Sequence, residues 1–267
     1  MITSLTNRKV KFVRRLQNDR RFRVQESAFV VEGVRWLTEL QLHACRPIFV
    51  LYTEVWGTVA EHAALLTQLD APAQQVSAEV MAAMSDTQTP PGVIAVAPIR
   101  PVPLPGKATF FLILDAIGNP GNLGTMLRTA AAAGVDGVLL APGCVDAYNP
   151  KVIRGSMGAH LHLPIHRADW GEIGALTAGM TVWLAAAGDG VSHTAVNWRK
   201  PSAIIIGNEG AGVGREARNL SANRVSIPMQ AATESLNAAV AAGIILFEVV
   251  RQRTAKGAYS RKSADGF

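Results

Sequence analysis

Apolar residues come in short runs along this chain, separated by segments of helical pattern. Val10, Val13 and Leu16 recur at the spacing of one helix face, which predicts an amphipathic helix at the basic N-terminal end, its apolar stripe docked and its Arg/Lys side facing outward. Then AFVVEG, a helix over 34–43, PIFVLYT, a helix over 59–69 and GVIAVAPI alternate, as in an α/β domain ending near Pro98. The stretch RPVPLPGK holds three prolines and a glycine, which break both helix and strand, so 99–107 reads as a linker. Beyond it TFFLILD, GVLLA, LHLPI, VWLAAA, AIIIG and RVSIP are β-branched or aromatic runs bounded by Gly, Pro, Asn or Asp. Near-continuous apolar strands imply burial on both faces of a parallel sheet. The expected class is therefore α/β: a smaller α/β domain over 1–98, an open, mostly parallel sheet over 108–253, and a flexible basic tail over 254–267.

Charge adds a partner. Arg8, Lys9, Lys11, Arg14, Arg15, Arg20, Arg21 and Arg23 crowd one segment in which Asp19 is the only acid, and the whole chain carries a net charge of +6. Lys and Arg that neutralise phosphates release condensed counterions, so a polyanion, RNA before a membrane surface, is the expected partner. Arg8, Lys9, Lys11, Arg14 and Arg15 are the candidate RNA contacts, with a merely solvated helix face as the other reading. No apolar run reaches the roughly 18 to 20 residues that span a bilayer, and the basic N-terminus lacks a signal-peptide core, which points to the cytoplasm. Cys45 and Cys144 show neither disulfide nor zinc spacing and read as reduced packing residues; no metal site is expected.

Three segments place polar residues and small turns at strand ends, where open α/β sheets bind ligands. In LDAIGNPGNLGTMLRTAAAAG a strand ends at Asp115 and a helix runs over 122–133, with Asn122 and Arg128 close to two turns apart. A lone Arg in an alanine-rich helix is equally a cation snorkelling to the surface. In SAIIIGNEGAGVGREARNL, Gly207, Gly210, Gly212 and Gly214 allow close backbone approach and Glu209 is the single charge of the turn. Its GxGxG spacing is only a partial dinucleotide fingerprint, and no GK[ST] follows. In SIPMQAATESLNAAVAAGI a loop carries Glu234, Ser235 and Asn237 before a long apolar helix, for which Ser235 would be a suitable N-cap. There is no GxSxG or HExxH; His160 and His162 alternate along what reads as an extended run and could reach RNA, though a solvent-facing or core place is the favoured reading.

Taken in order, NPGNLGTMLRTAAAAG, IIIGNEGAGV and SIPMQAATESLNAAVAAGI resemble the three motifs of the SpoU/TrmH family of RNA 2′-O-ribose methyltransferases, in the SPOUT superfamily. The resemblance covers about 109–253; the part before Pro98, with AFVVEG, is more loosely similar to that family's substrate-binding domain. It implies a trefoil-knotted C-terminal segment, a homodimer and S-adenosylmethionine as cofactor, on ribosomal RNA of the large subunit rather than transfer RNA. It also implies catalytic roles for Arg128, Asn122, Glu209, Ser235 and Asn237, and cofactor contacts at Gly207, Ile227 and Leu236 with Met229 and Ala238 as neighbours. A guanidinium holds its proton far above neutral pH. Arg128 would thus either lose it in a dry site beside an RNA phosphate, or stay charged and stabilise the developing alkoxide. A non-catalytic RNA-binding protein of the same fold and a nicotinamide enzyme using GNEGAGVG are the rival readings.

Overall fold

The computed structural model describes residues 1–230 and 235–254. Their contacts gather into two compact units: Met1–Val102 with Asn119–Arg128 and Val145–His162, and Pro103–Gly118 with Thr129–Cys144 and the chain from Leu163 onward.

The first unit is built on strands β1 (Ala28–Glu32), β2 (Phe49–Thr53), β3 (Ala73–Val76) and β4 (Val93–Pro98), in the order β1-β4-β2-β3. β4 is antiparallel to both neighbours and β2 is parallel to β3. Helices α1 (Arg8–Asn18), α2 (Arg20–Glu26), α3 (Val34–Leu42), α4 (Glu54–Gly57), α5 (Ala60–Leu69) and α6 (Ala78–Met84) fill the connections. The pleat sorts the strand side chains: Val30, Leu51 and Ile94 join one core with Val10, Val13, Leu16 and Met81, while Phe29, Val31 and Val50 join another with Trp36, Leu37 and Leu65. With both faces covered, β1, β2 and β4 read as near-continuous apolar runs rather than alternating ones, while the edge strand β3, AQQV, is largely polar.

The N-terminal helix differs from its expected form. Asp19 takes an extended backbone, ends α1 and caps α2, its Oδ1 accepting from Phe22 N–H at 3.1 Å, so two helices replace one. That hydrogen bond holds the Asp19 carboxyl below the ordinary value. Beyond the break Arg23 turns inward rather than outward: it is 4% exposed and pairs with Asp146 at 2.7 Å.

The second unit is a seven-stranded sheet, every pair parallel: β5 (Phe110–Leu114), β6 (Gly137–Leu140), β7 (Ile165–Arg167), β8 (Thr181–Ala185), β9 (Val191–Ser192), β10 (Ser202–Ile206) and β11 (Arg224–Ser226). Their order is β7-β6-β5-β10-β8-β11-β9. The expected parallel α/β sheet is thus present. Residues Phe111, Ile113, Ala203 and Ile205 pack one core with Ile173 of α9 (Trp170–Leu176) and Ala217 of α10 (Arg215–Leu220). The alternate residues Leu112, Leu114, Ile204 and Ile206 are buried as well. The remaining helices are α7 (Pro120–Ala133), α8 (Pro150–Ser156) and α11 (Ala238–Thr254).

LHLPI is not a strand. Met157 and Gly158 both take left-handed angles after α8, a short 3-10 turn spans Ala159–Leu161, and β7 begins only after Pro164, which has no N–H for a ladder. His160 is accordingly not on an extended run but in the core, its Nε2 donating to Ala147 O and its Nδ1 bonded to Ser156 Oγ. Burial pushes its pKa down to about 4. The tail beyond Thr254 and Glu234 lie outside the described residues.

Candidate active site

Strand β5 lies where the sheet order reverses: the chain moves to β6 and β7 on one side, then crosses to β8 on the other, and β10 later inserts between β5 and β8. Ligands of open α/β sheets bind beyond the carboxyl ends of strands at such a switch point. The five residues of β10 are all buried, and the chain leaves it at Gly207 into a folded-back turn. There Asn208 and Gly212 exchange both backbone hydrogen bonds at 2.9 Å. A Cβ at Gly207 would lie 2.3 Å from Gly212 C, so only glycine lets the turn close.

Two side chains that the sequence reading passed over hold this turn. Asn208 Oδ1 accepts from the N–H groups of Gly210 and Ala211, while its Nδ2 donates to Ala116 O at 2.9 Å. Asp115, 6% exposed at the end of β5, accepts from Gly214 N–H at 2.6 Å. Ala116 is left-handed, with φ 53°, although it has a Cβ, a strained geometry of the kind that persists where surroundings over-determine it. An Asn inside a glycine-rich turn and an Asp at a strand end were the available signals.

Behind the turn lies a cavity of about 360 Å³, within the range of ligand sites. Gly207, Ile227, Met229, Leu236 and Ala238, expected near the cofactor, line it together with Glu209 and Ser235. Ala185, Ala186 and Ala187 at the end of β8 form another wall, and Ile206, Val225 and Ile245 add apolar surface. Among the described residues no Lys, Arg or His lines it, and its one carboxylate is Glu209. Those residues fit a group that joins a flat apolar ring to a cationic end, as S-adenosylmethionine does. They suit a dinucleotide poorly, since a pyrophosphate calls for donors and positive charge.

The other expected site residues stand as follows. Asn237 caps α11, its Oδ1 accepting from Ala239 N–H at 2.9 Å, so the N-cap is Asn237 and not Ser235. Asn122 and Arg128 belong to α7, which opens on Asn119 as cap and Pro120. Asn122 is half-buried; Arg128 is exposed, with no hydrogen bond or ion pair to its guanidinium among the described residues. Both belong to the first unit, whereas Glu209, Ser235 and Asn237 are in the second. On α1, Arg8, Lys11, Arg14 and Arg15 are exposed, but Lys9 is half-buried, donating to Gln74 Oε1 at 3.0 Å. Cys45 and Cys144 are free and buried, and burial raises both thiol pKa values.

Two family descriptions match the chain: the SpoU rRNA methylase family over 109–247, and an MRM3-like substrate binding domain over 7–95. The chain belongs to the SpoU rRNA methylase family. It is an RNA 2′-O-methyltransferase with S-adenosylmethionine as cofactor. Similar proteins include the Bacillus subtilis 23S rRNA (guanosine(2553)-2′-O)-methyltransferase RlmP, 32% identical over 93% of this chain and 98% of that one. The 23S rRNA (uridine(2479)-2′-O)-methyltransferase of Streptomyces viridochromogenes is 31% identical over 93% and 92%. Among solved structures, the SpoU methyltransferase AviRb of Streptomyces viridochromogenes in complex with AdoMet has a TM-score of 0.84 at 28% identity, covering 92% of this chain and 98% of its own.

Proposed function

We propose that this SpoU enzyme methylates a ribose 2′-hydroxyl of 23S ribosomal RNA. Residues 1–98 engage the RNA, 99–107 act as linker and 108–253 carry the chemistry. The observation that carries the reading is the cavity beyond β8, β10 and β11, whose lining combines the turn after β10 with the start of α11. The two relatives quoted above support the RNA class, because their names specify 23S rRNA. Bound in the cavity, S-adenosylmethionine would supply an electrophilic methyl on a sulfonium. Main-chain groups at Gly207, Ile227 and Leu236 read its adenine end, Met229 and Ala238 pack beside it, and Glu209 offers the carboxylate for its cationic part.

Arg128 acts on the RNA. Its guanidinium is exposed and offers a planar fork of donors, so its part is electrostatic: it binds the substrate's phosphate and holds the 2′-oxygen as negative charge develops there. In-line displacement at a methyl demands alignment more than it demands a strong base. Asn122, Ser235 and Asn237 supply that alignment through the ribose and the loops around it. Arg8, Lys9, Lys11, Arg14 and Arg15 provide the electrostatic footprint.

A homodimer in the cytoplasm, with the C-terminal segment knotted, completes the reading. Supporting an interface, α11 exposes Val240, Ile244 and Phe247 at i, i+4 and i+7, an apolar stripe on one helix face. The test is labelled S-adenosylmethionine with ribosomal RNA from a strain lacking the gene, followed by nucleoside mapping. Label in a 2′-O-methylnucleoside of 23S rRNA is expected; label confined to transfer RNA, or to a base, contradicts the reading.

A further inference from the structure

The first unit holds a second cavity, of about 220 Å³, that methyl transfer leaves without a role. Trp36, Pro91 and Ile153 give it flat apolar walls; Glu32, Asp86 and Arg154 give it a polar edge. Glu32 is the acid of AFVVEG, at the end of β1. Its Oε2 accepts from Ser85 Oγ at 2.7 Å and its Oε1 from Asp86 N–H at 2.9 Å, so both oxygens are fixed in place. Trp36 is 5% exposed, and its indole N–H is buried with no acceptor among the described residues. A buried donor without a partner calls for an explanation, and completion of the site by a ligand is one.

The chemistry of the edge selects the ligand. Two carboxylates against one guanidinium repel phosphate but accept N–H groups. Apolar walls suit the face of an unstacked base, and single-stranded RNA is read on its Watson–Crick edge in such sites. The volume falls below the roughly 300–1,000 Å³ typical of drug-sized ligands, as a lone base requires. Guanine presents N1–H and an amino group side by side, the pair that one carboxylate can receive with both oxygens. Arg154 meets Asp86 through its Nη1, at 3.4 Å from both Oδ2 and the backbone carbonyl; these are exposed, long contacts worth little in solvent. Arg154 also borders an open groove with Lys151, Asn119 and Thr125. A Cβ at Gly124 would lie 2.8 Å from Val152 O, so its absence lets α8 lie close to α7 along that groove.

We propose that this cavity receives one unstacked guanine of the substrate RNA, recognised by the Glu32 and Asp86 carboxylates, with Lys151 and Arg154 on adjoining phosphates. It is a specificity pocket, and it rests on the RNA substrate assigned above. Full-length enzyme is photocrosslinked to 23S rRNA transcribed with 6-thioguanosine or with 4-thiouridine, and crosslinked peptides are mapped. In parallel, Thr89→Trp fills the mouth of the cavity from an exposed side chain that makes no hydrogen bond among the described residues.

The expected result is a 6-thioguanosine crosslink to Trp36 or to residues 85–92, absent with 4-thiouridine and lost in Thr89→Trp. That variant should raise the KM for RNA about tenfold, the cost of one mispaired base contact, with kcat and cofactor affinity unchanged. Active enzyme whose crosslinks all fall outside the cavity, or an unchanged KM in Thr89→Trp, overturns the pocket. A 4-thiouridine crosslink inside it overturns the guanine assignment. If the unsubstituted enzyme transfers no methyl to any ribosomal RNA, the RNA reading itself fails, a result distinct from activity with an intact KM.

Discussion

The two sheets of this protein are built differently, and the cavity of about 360 Å³ that fits the cofactor lies at the strand ends of the second. In the first unit β4 sits between β1 and β2 and runs opposite to both, so the loops of these strands leave from both edges. In the second unit every strand is parallel, and the turns after β8, β10 and β11 all leave from one edge. Strand direction, more than composition, decides where loops can converge on a cofactor. The mixed sheet instead presents its helices, with the cations of α1 outermost and a smaller polar cavity beside β1.

Substitutions at the closest contacts should separate the two regions most sharply. Gly207→Ala forces a side chain into the backbone of Gly212, so cofactor affinity should fall by about 100-fold or more while the first unit keeps its RNA binding; isothermal titration with S-adenosylhomocysteine checks it. Asp146→Asn leaves the Arg23 charge buried without its carboxylate and should cost about 3 kcal/mol of stability, read by denaturant unfolding. Replacing Arg8, Lys11, Arg14 and Arg15 together by Ala should weaken rRNA binding about tenfold at low salt and flatten its salt dependence, with cofactor affinity untouched. If the slope against salt stays the same, α1 is not the docking face.

Asp19→Ala should have the smallest effect. The native carboxyl is held below its ordinary value by the Phe22 N–H. Its stabilisation is therefore present above the unfolded pKa, near about 3.9, and is lost as pH falls through the lower native value. Thermal unfolding should show the variant slightly less stable near neutral pH and equal to the parent in strong acid.

Much of the second unit was legible in advance because its strands are short, apolar on both sides and punctuated by Gly, Pro or Asn. TFFLILD and AIIIG each enclose a strand, and Gly207 marks a true close approach. What stayed hidden depends on distant partners. The placement of β10 between β5 and β8 leaves no periodic signature, and the two-residue β9 is too short to have one. Residues 145–162 pack with the first unit although they follow β6 in sequence, so LHLPI begins in a 3-10 turn and only its last residue, Ile165, reaches the sheet, beside Val138 of β6. Asp19 reads in sequence as a lone acid in a basic helix, whereas its cap geometry divides that helix. At the site, Asn208 and Asp115 were missed because their work is to hold backbone, which no motif spacing reveals.

The central claim is that Arg128 serves the transfer step and not the cofactor. Arg128→Ala, with cofactor affinity by calorimetry and methyl transfer to 23S rRNA measured on the same preparation, tests it most directly. Affinity within about twofold of the parent and transfer lowered by at least about 10³-fold is the predicted outcome. Substantial transfer by the Ala variant, or loss of cofactor binding in step with activity, would contradict it.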